Sequence, residues 1–179
     1  MKSLEENLAQ YAAYHRDRRN IATHFLGIPL IVFAIVLALA LASFPAGGME
    51  ITLAAVASIA ACAYYLRLDA AFGAAMGATL FIMCALASEI TARVPVGGVL
   101  ALAAALFAAG WALQFWGHRF EGMKPAFFDD ARQLAIGPLF VCAEVFFFLG
   151  EKPALRRYIE ERVGPTAVRR DRAPATGTR

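Results

Sequence analysis

The sequence predicts an all-α integral membrane protein, a helical bundle with four spans plus a fifth re-entrant or partly buried helix. Of its 179 residues, 60% are hydrophobic and 17% are charged, whereas soluble domains average about 45–50% apolar and about 25% charged residues. The apolar residues form continuous Ala- and Leu-rich runs without strand-like alternation, which favours helices. An ordinary soluble globule and a disordered chain are therefore excluded.

The four predicted spans are stretches without charged side chains. A spanning helix needs about 20 mostly apolar residues, and the second stretch is short by that measure. In chain order the stretches are residues 25–43, 51–66, 70–88 and 94–117.

A fifth apolar stretch, residues 133–150, conflicts with the charges that follow it. It contains Glu144, and Gly137-Pro138 is expected to break a helix near its start. Lysine and arginine are frequent in residues 152–172, which is typical of cytoplasmic segments. A re-entrant or half-buried helix that returns to the cytoplasmic side resolves the conflict, and a full crossing is the alternative. We expect one membrane domain over residues 1–165 and a disordered basic tail over 166–179.

Basic residues also predict the orientation. They are concentrated before the first span and in 118–132, and the short turn at 67–69 has one arginine. This distribution predicts a cytoplasmic location for the N-terminus, for the 67–69 turn and for 118–132. The Ala- and Arg-rich composition suggests a bacterial inner membrane. The net charge of +3 fits contact with anionic lipid and gives no support to nucleic-acid binding.

The chain has three histidines, and span counting places all of them at one membrane face. His15 precedes the first span, His24 begins it, and His118 ends the fourth. Shared depth favours a metal site, and imidazole suits Zn, Cu, Fe and Ni. The alternative is that each histidine contacts lipid headgroups at a helix end.

Four residues near the end of the fourth span share one helical face. Trp111, Gln114, His118 and Glu121 follow i, i+3, i+7, i+10 spacing. Glu121 is a candidate metal ligand or a partner that orients His118, and a simple charge pair at the helix end is the alternative.

The segment between His15 and His24 must bend if both are to reach one ion. Residues nine apart face opposite sides of a continuous helix. Asn20 is predicted as the N-cap of a helix that starts at Ile21.

Other polar residues near this face are weaker candidates. Glu144 lies in an apolar run and is therefore a functional candidate, with ion pairing to an arginine as the alternative. Arg119 and Lys124 are candidates for binding a headgroup or a substrate carboxylate, with lipid contact as the alternative.

Two histidine-bearing blocks and a shorter third piece are similar to a known family. Together they resemble the small membrane family of the yeast 2-hydroxy fatty acid dioxygenase, over roughly residues 5–155. The blocks read Tyr11-x-x-Tyr14-His15-x4-Asn20-x3-His24 before Gly27-Ile28-Pro29, Trp111-x-x-Gln114-Phe115-x-Gly117-His118-x-x-Glu121 before Lys124-Pro125-Ala126, and Gly137-Pro138 with Glu144.

The resemblance implies an Fe(II)-dependent dioxygenase that shortens free 2-hydroxy fatty acids by one carbon at the cytoplasmic membrane face. O2, the fatty acid and membrane lipid are the implied partners, and Zn²⁺ is a possible substitute for Fe²⁺. Arg16 stands where the yeast member has a second histidine, so a four-histidine site of that kind is excluded. The implied roles are metal binding by His15, His24 and His118, metal tuning or proton handling by Glu121 or Glu144, substrate binding by Gln114, and an acyl-chain entrance lined by Trp111 and Phe115.

Two other functions fit the same residues. A zinc hydrolase acting on a lipid would use the histidines to hold a metal that activates water. A non-enzymatic membrane protein would use them for lipid contact and would bind no transition metal.

Overall fold

The computed structural model describes residues 2–168, which contain seven α-helices and one β-hairpin. A short 3₁₀ turn at Ala126–Phe128 precedes the sixth helix. The elements are α1 (Leu4–Ala12), α2 (Arg18–Ala40), β1 (Ser43–Ala46), β2 (Met49–Thr52), α3 (Leu53–Leu68), α4 (Ala70–Arg93), α5 (Val96–Glu121), α6 (Gln133–Phe148) and α7 (Pro153–Val163).

Three helices, α2, α4 and α5, are long and apolar enough to cross a membrane. Helix α3 is apolar but has 16 residues. At 1.5 Å per residue it is about 24 Å long, which is less than the hydrocarbon core of about 30 Å. A mainly helical membrane bundle agrees with the prediction, and the fourth span stays a prediction.

The loop expected between the first two spans is partly a β-hairpin. Strands β1 and β2 pair antiparallel around Gly47 and Gly48, which have φ values of 59° and 81°. Two central residues with positive φ make the tight turn that joins two-residue hairpins, and Gly-Gly is a sequence signal for it. The hairpin was not predicted, because continuous apolar runs flank this short pattern on both sides.

Helices α2 and α5 approach closely through glycines. A Cβ atom added at Gly27 would lie 2.9 Å from the Gly110 carbonyl oxygen, and one added at Gly110 would lie 2.8 Å from the Gly27 carbonyl oxygen. Any larger residue would push the backbones apart, as expected where small residues set the spacing of membrane helices. The packing brings the start of α2 beside the end of α5. We call this end of the bundle, which also carries α1, the α1 end.

Helix α6 continues through Pro138, so the expectation that Gly137-Pro138 breaks the helix was wrong. Proline lacks only its own N–H, so one backbone hydrogen bond, to the Leu134 carbonyl, is lost. The flanking residues Leu139 and Phe140 are fully buried. Their packing offsets this local loss.

Both ends of α6 contact residues near the α3–α4 turn. At its start, the Tyr65 hydroxyl donates a hydrogen bond of 2.8 Å to the Ala135 carbonyl oxygen. Near its end, the Phe146 ring packs against Phe72 with centroids 4.8 Å apart. Tyr65 is near the end of α3 and Phe72 is near the start of α4. Gln133 at its start also lines a cavity with His15, and Phe147 near its end lines a pocket with Arg16, so α6 begins and ends at the α1 end of the bundle.

Helix α7 stays at the same end. The chain bends by 115° between α6 and α7, and the Lys152 Nζ atom lies 2.6 Å from the Asp69 carboxylate. Helix α7 packs against α1, and the segment after it pairs with the α1–α2 connection: Ala167 N–H donates to the Arg16 carbonyl. Residues 166–168 of the expected disordered tail are thus described and paired in part, and residues 169–179 lie outside the described residues.

Candidate metal centre

The chain bends between His15 and His24, but the helix cap is not the predicted one. Helix α2 starts at Arg18, and the Asp17 carboxylate caps it by accepting a hydrogen bond of 2.8 Å from Arg19 N–H. Asn20 is therefore inside the helix, and its assignment as the N-cap was wrong. Asp and Asn cap helices about equally well, so local preference could not decide between two candidates three residues apart.

The three imidazoles meet in the interior. His15, His24 and His118, which we call the triad, are each at most 6% exposed. One nitrogen of each ring lies within 4.8 Å of the others. The ring centroids are 4.6 to 5.2 Å apart. Span counting predicted one shared face, and the α2–α5 packing is what brings the rings into contact.

The hydrogen bonds around two rings leave an unfavourable pair of atoms. Nδ1 of His15 lies 2.7 Å from the Tyr11 carbonyl oxygen, and Nδ1 of His24 lies 2.8 Å from the Asn20 carbonyl oxygen. Because a carbonyl oxygen only accepts, each Nδ1 carries a proton. The two Nε2 atoms then face each other at 3.1 Å with lone pairs. Burial, and to a lesser extent the neighbouring His24, hold the pKa of His15 well below its ordinary value. Protonation of His15 therefore does not relieve the unfavourable approach of the two Nε2 atoms.

A bound metal ion would resolve it. Metal-binding histidines usually donate their other N–H to a carbonyl or carboxylate, as both rings do here. Two nitrogens that each lie about 2.1 Å from one ion are about 3 Å apart when the angle between the two bonds at the ion is a right angle. The two Nε2 atoms are 3.1 Å apart. The Nδ1 atom of His118 is buried and has no hydrogen-bond partner among residues 2–168. The residues therefore fit a divalent transition metal, and three imidazoles alone do not choose between iron and zinc.

Glu121 holds the backbone that carries His15. One carboxylate oxygen accepts hydrogen bonds from Arg16 N–H at 3.0 Å, from Asp17 N–H at 2.8 Å and from the Asn20 side-chain amide at 3.2 Å. Asn20 in turn supplies the carbonyl that orients His24. The residue predicted as a ligand or as a partner of His118 thus fixes the corner between α1 and α2.

Glu144 lies in a different, small polar pocket. It is half-buried on α6, and the pocket is also lined by Arg16, Arg156 and Glu160. The Arg16 guanidinium donates to the Ala12 and His15 carbonyl oxygens at 2.9 Å. Glu144 does not line the cavity beside the triad, so its proposed catalytic role has no geometric support here.

A cavity of about 260 Å³ extends from the triad between α2, α5 and α6. Along α2 it reaches from His24 to Ile35, eleven residues or about 16 Å of helix. Along α5 it reaches from His118 back to Phe107. Away from the triad the walls are almost wholly apolar, with Ile28, Ile31, Val32, Leu134 and Pro138 among the lining residues. We call this cavity the histidine pocket.

Some of the predicted substrate-binding residues line the histidine pocket and others do not. Trp111 and Gln114 line the histidine pocket. Phe115 contacts the Trp111 ring, with centroids 5.5 Å apart, but is half-exposed and not part of the lining. Arg119 and Lys124 are exposed and also lie outside the lining, and Lys124 pairs with Asp129 at 2.5 Å.

Sequence reasoning did not assign roles to three further lining residues. The Tyr11 ring stacks on His15 with centroids 4.0 Å apart and an interplanar angle of 2°. Phe127 contacts Trp111, and Gln133 begins α6. Tyr11 stands in the first histidine block and Gln133 opens an apolar run, so both gave a signal. The direction in which each of these side chains points depends on where α1 and α6 pack, which the sequence pattern does not specify.

Comparisons with known proteins agree with the family resemblance that the histidine blocks carry. Residues 1–149 match the model of the family described as "2-hydroxy-palmitic acid dioxygenase Mpo1-like". The chain is 30% identical over 163 residues to the Saccharomyces cerevisiae protein named 2-hydroxy-palmitic acid dioxygenase MPO1, covering 88% of this chain and 87% of that relative. No solved structure gives a significant match.

Proposed function

Because the chain belongs to the Mpo1-like family of 2-hydroxy-palmitic acid dioxygenases, we propose that it is an iron-dependent dioxygenase of free 2-hydroxy fatty acids. The reaction would consume one O2 and release CO2 and water, leaving a fatty acid one carbon shorter. The observation that carries the proposal is the buried triad at the polar end of a long apolar pocket.

In this proposal, different residues act on the head group and on the acyl chain of the substrate. His15, His24 and His118 would hold the ion, with two rings fixed by backbone carbonyls. Bound Fe(II) would supply the O2 chemistry, which no side chain provides. The apolar walls along α2 and α5 bind the acyl chain and exclude water, and they direct its carboxyl end toward the triad.

A dioxygenase assay tests the proposal directly. Anaerobically purified protein, supplied with Fe(II) and reductant, is expected to convert 2-hydroxypalmitic acid to pentadecanoic acid with equal uptake of O2. Zinc-loaded protein is the control and should be inactive, because Zn²⁺ is not redox-active. Hydrolysis of lipid esters without O2 uptake would favour the zinc hydrolase, and no turnover with either metal would favour a non-enzymatic protein.

We further propose that α3 completes a fourth crossing and that the α1 end faces the cytoplasm. Helix α2 runs away from the α1 end and α5 runs back to it, so in this proposal α3 runs to the α1 end and α4 runs away from it again. Contacts of the α3–α4 turn with α6 and of Asp69 with Lys152 support this path. The basic segments supply the orientation.

Reporter fusions test this topology. Fusions at residues 10, 125 and 165 are all expected to report the cytoplasm, because α1, the α5–α6 connection and α7 share one end of the bundle. A fusion at Gly47 in the hairpin should report the opposite side and serves as the control. A non-cytoplasmic signal at 165 alone would show that α6 crosses fully.

A further inference from the structure

Two glutamines in the histidine pocket have buried polar atoms without partners. Gln114 is 6% exposed and Gln133 is 1% exposed. The Gln114 Nε2 atom and both polar side-chain atoms of Gln133 make no hydrogen bond among residues 2–168. Buried amides are usually satisfied, because an unmade hydrogen bond in the interior is costly. Both amides therefore have unused hydrogen-bonding capacity, and both residues line the histidine pocket.

The two amides lie at the polar end of the pocket. Gln114 is one helical turn before His118 on α5, so the two side chains share a face. Gln133 comes from a different helix, α6, and lines the same cavity as the triad and Tyr11. Polar groups are thus gathered beside the histidines, while the far end of the pocket is apolar.

The position of the Gln114 amide depends on Gly27. A Cβ atom added at Gly27 would overlap Gln114 Nε2. The carboxamide therefore packs directly against the α2 backbone, three residues after His24, where only glycine leaves room. This close packing restricts the amide to the wall of the pocket.

We propose that Gln114 and Gln133 form a head-group subsite for a 2-hydroxy carboxylate, in which Gln133 recognises the hydroxyl group. This inference rests on the proposed function and assigns the residues that select its substrate. A carboxylate only accepts hydrogen bonds, which suits the Nε2 donor of Gln114. A hydroxyl both donates and accepts, which suits the Oε1 acceptor and the Nε2 donor of Gln133.

Selectivity follows from the unpaired acceptor. An unsubstituted fatty acid offers no donor at its second carbon, so it leaves Gln133 Oε1 without a partner. A 2-hydroxy acid supplies one. Sites that bind a substrate hydroxyl discriminate strongly against analogues without it, because the buried polar group is then left unpaired.

Binding of palmitic acid and 2-hydroxypalmitic acid to metal-free protein in detergent tests the subsite. Wild type is expected to bind the hydroxylated acid at least about 10-fold more tightly, since each lost buried hydrogen bond is worth about a factor of ten. Gln133→Met should remove this preference and leave palmitic acid binding unchanged, which also shows that the pocket is folded. Gln114→Met should weaken both acids alike.

Gln10→Met is the matched control, because Gln10 is a glutamine of α1 that bonds Lys2 outside the pocket. It should retain the wild-type preference. An unchanged preference in Gln133→Met, or none in wild type, would overturn the subsite. Since this binding requires no metal, selective binding without O2-dependent turnover would sustain the subsite and refute only the proposed function.

Discussion

Replacement of any one of His15, His24 or His118 by alanine is expected to abolish turnover of 2-hydroxy fatty acids. Each imidazole would supply one of three bonds to the ion, and the others are too few to retain it. Added Zn²⁺ should raise the melting temperature of wild type, because a ligand at 100 times its Kd stabilises the folded state by about 2.7 kcal/mol. This shift should vanish in each variant, as measured by thermal denaturation in detergent.

Membrane insertion should survive these substitutions, because the apolar helices direct it. Trp116→Ala is a suitable control: Trp116 is two residues before His118 on α5 but is 60% exposed. It should keep both activity and the zinc-induced shift. A histidine whose alanine variant keeps both the activity and the zinc-induced shift would not be a metal ligand.

The second large effect is expected at Glu121. Glu121→Ala leaves the N–H groups of Arg16 and Asp17 without their acceptor, at about 1–3 kcal/mol for each buried donor. Chemical denaturation should therefore show a clear loss of unfolding free energy. Glu121→Gln keeps one acceptor oxygen, and we expect it to fold and to bind metal about 10–100-fold more weakly, as for other residues that orient ligands.

Glu89→Gln provides the comparison, since Glu89 is an exposed residue of α4 paired with Arg93. It should change neither stability nor metal affinity noticeably. Complete loss of metal from folded Glu121→Gln would instead make Glu121 a direct ligand.

The sequence predicted the meeting of the histidines because the argument needed only the number of crossings and the ends of the apolar runs. It did not predict the contacts that complete the centre. Gly27, Gly110 and Gly117 determine how closely α2 and α5 approach, and spacing along one helix does not show which glycine faces another helix.

Helix ends and side-chain partners were less predictable. Asp17 caps α2 in place of Asn20, which frees Asn20 to contact Glu121 and to orient His24. Glu144 was a candidate because a carboxylate is unusual in an apolar run. Its surroundings depend on how α6 packs against α1 and α7, and that packing places it beside Arg16 in another pocket.

The central claim is that the triad holds the iron that the dioxygenase reaction needs. Its most direct test is metal analysis of protein purified without O2 in gentle detergent, alongside the triple variant His15→Ala/His24→Ala/His118→Ala. The account predicts about one iron per wild-type chain and no metal in the variant. Zinc can replace the iron once Fe(II) has been oxidised, because divalent metals bind such sites in an order that does not favour Fe(II); zinc in wild type and none in the variant also fits the account. Equal metal content in the two proteins would contradict it.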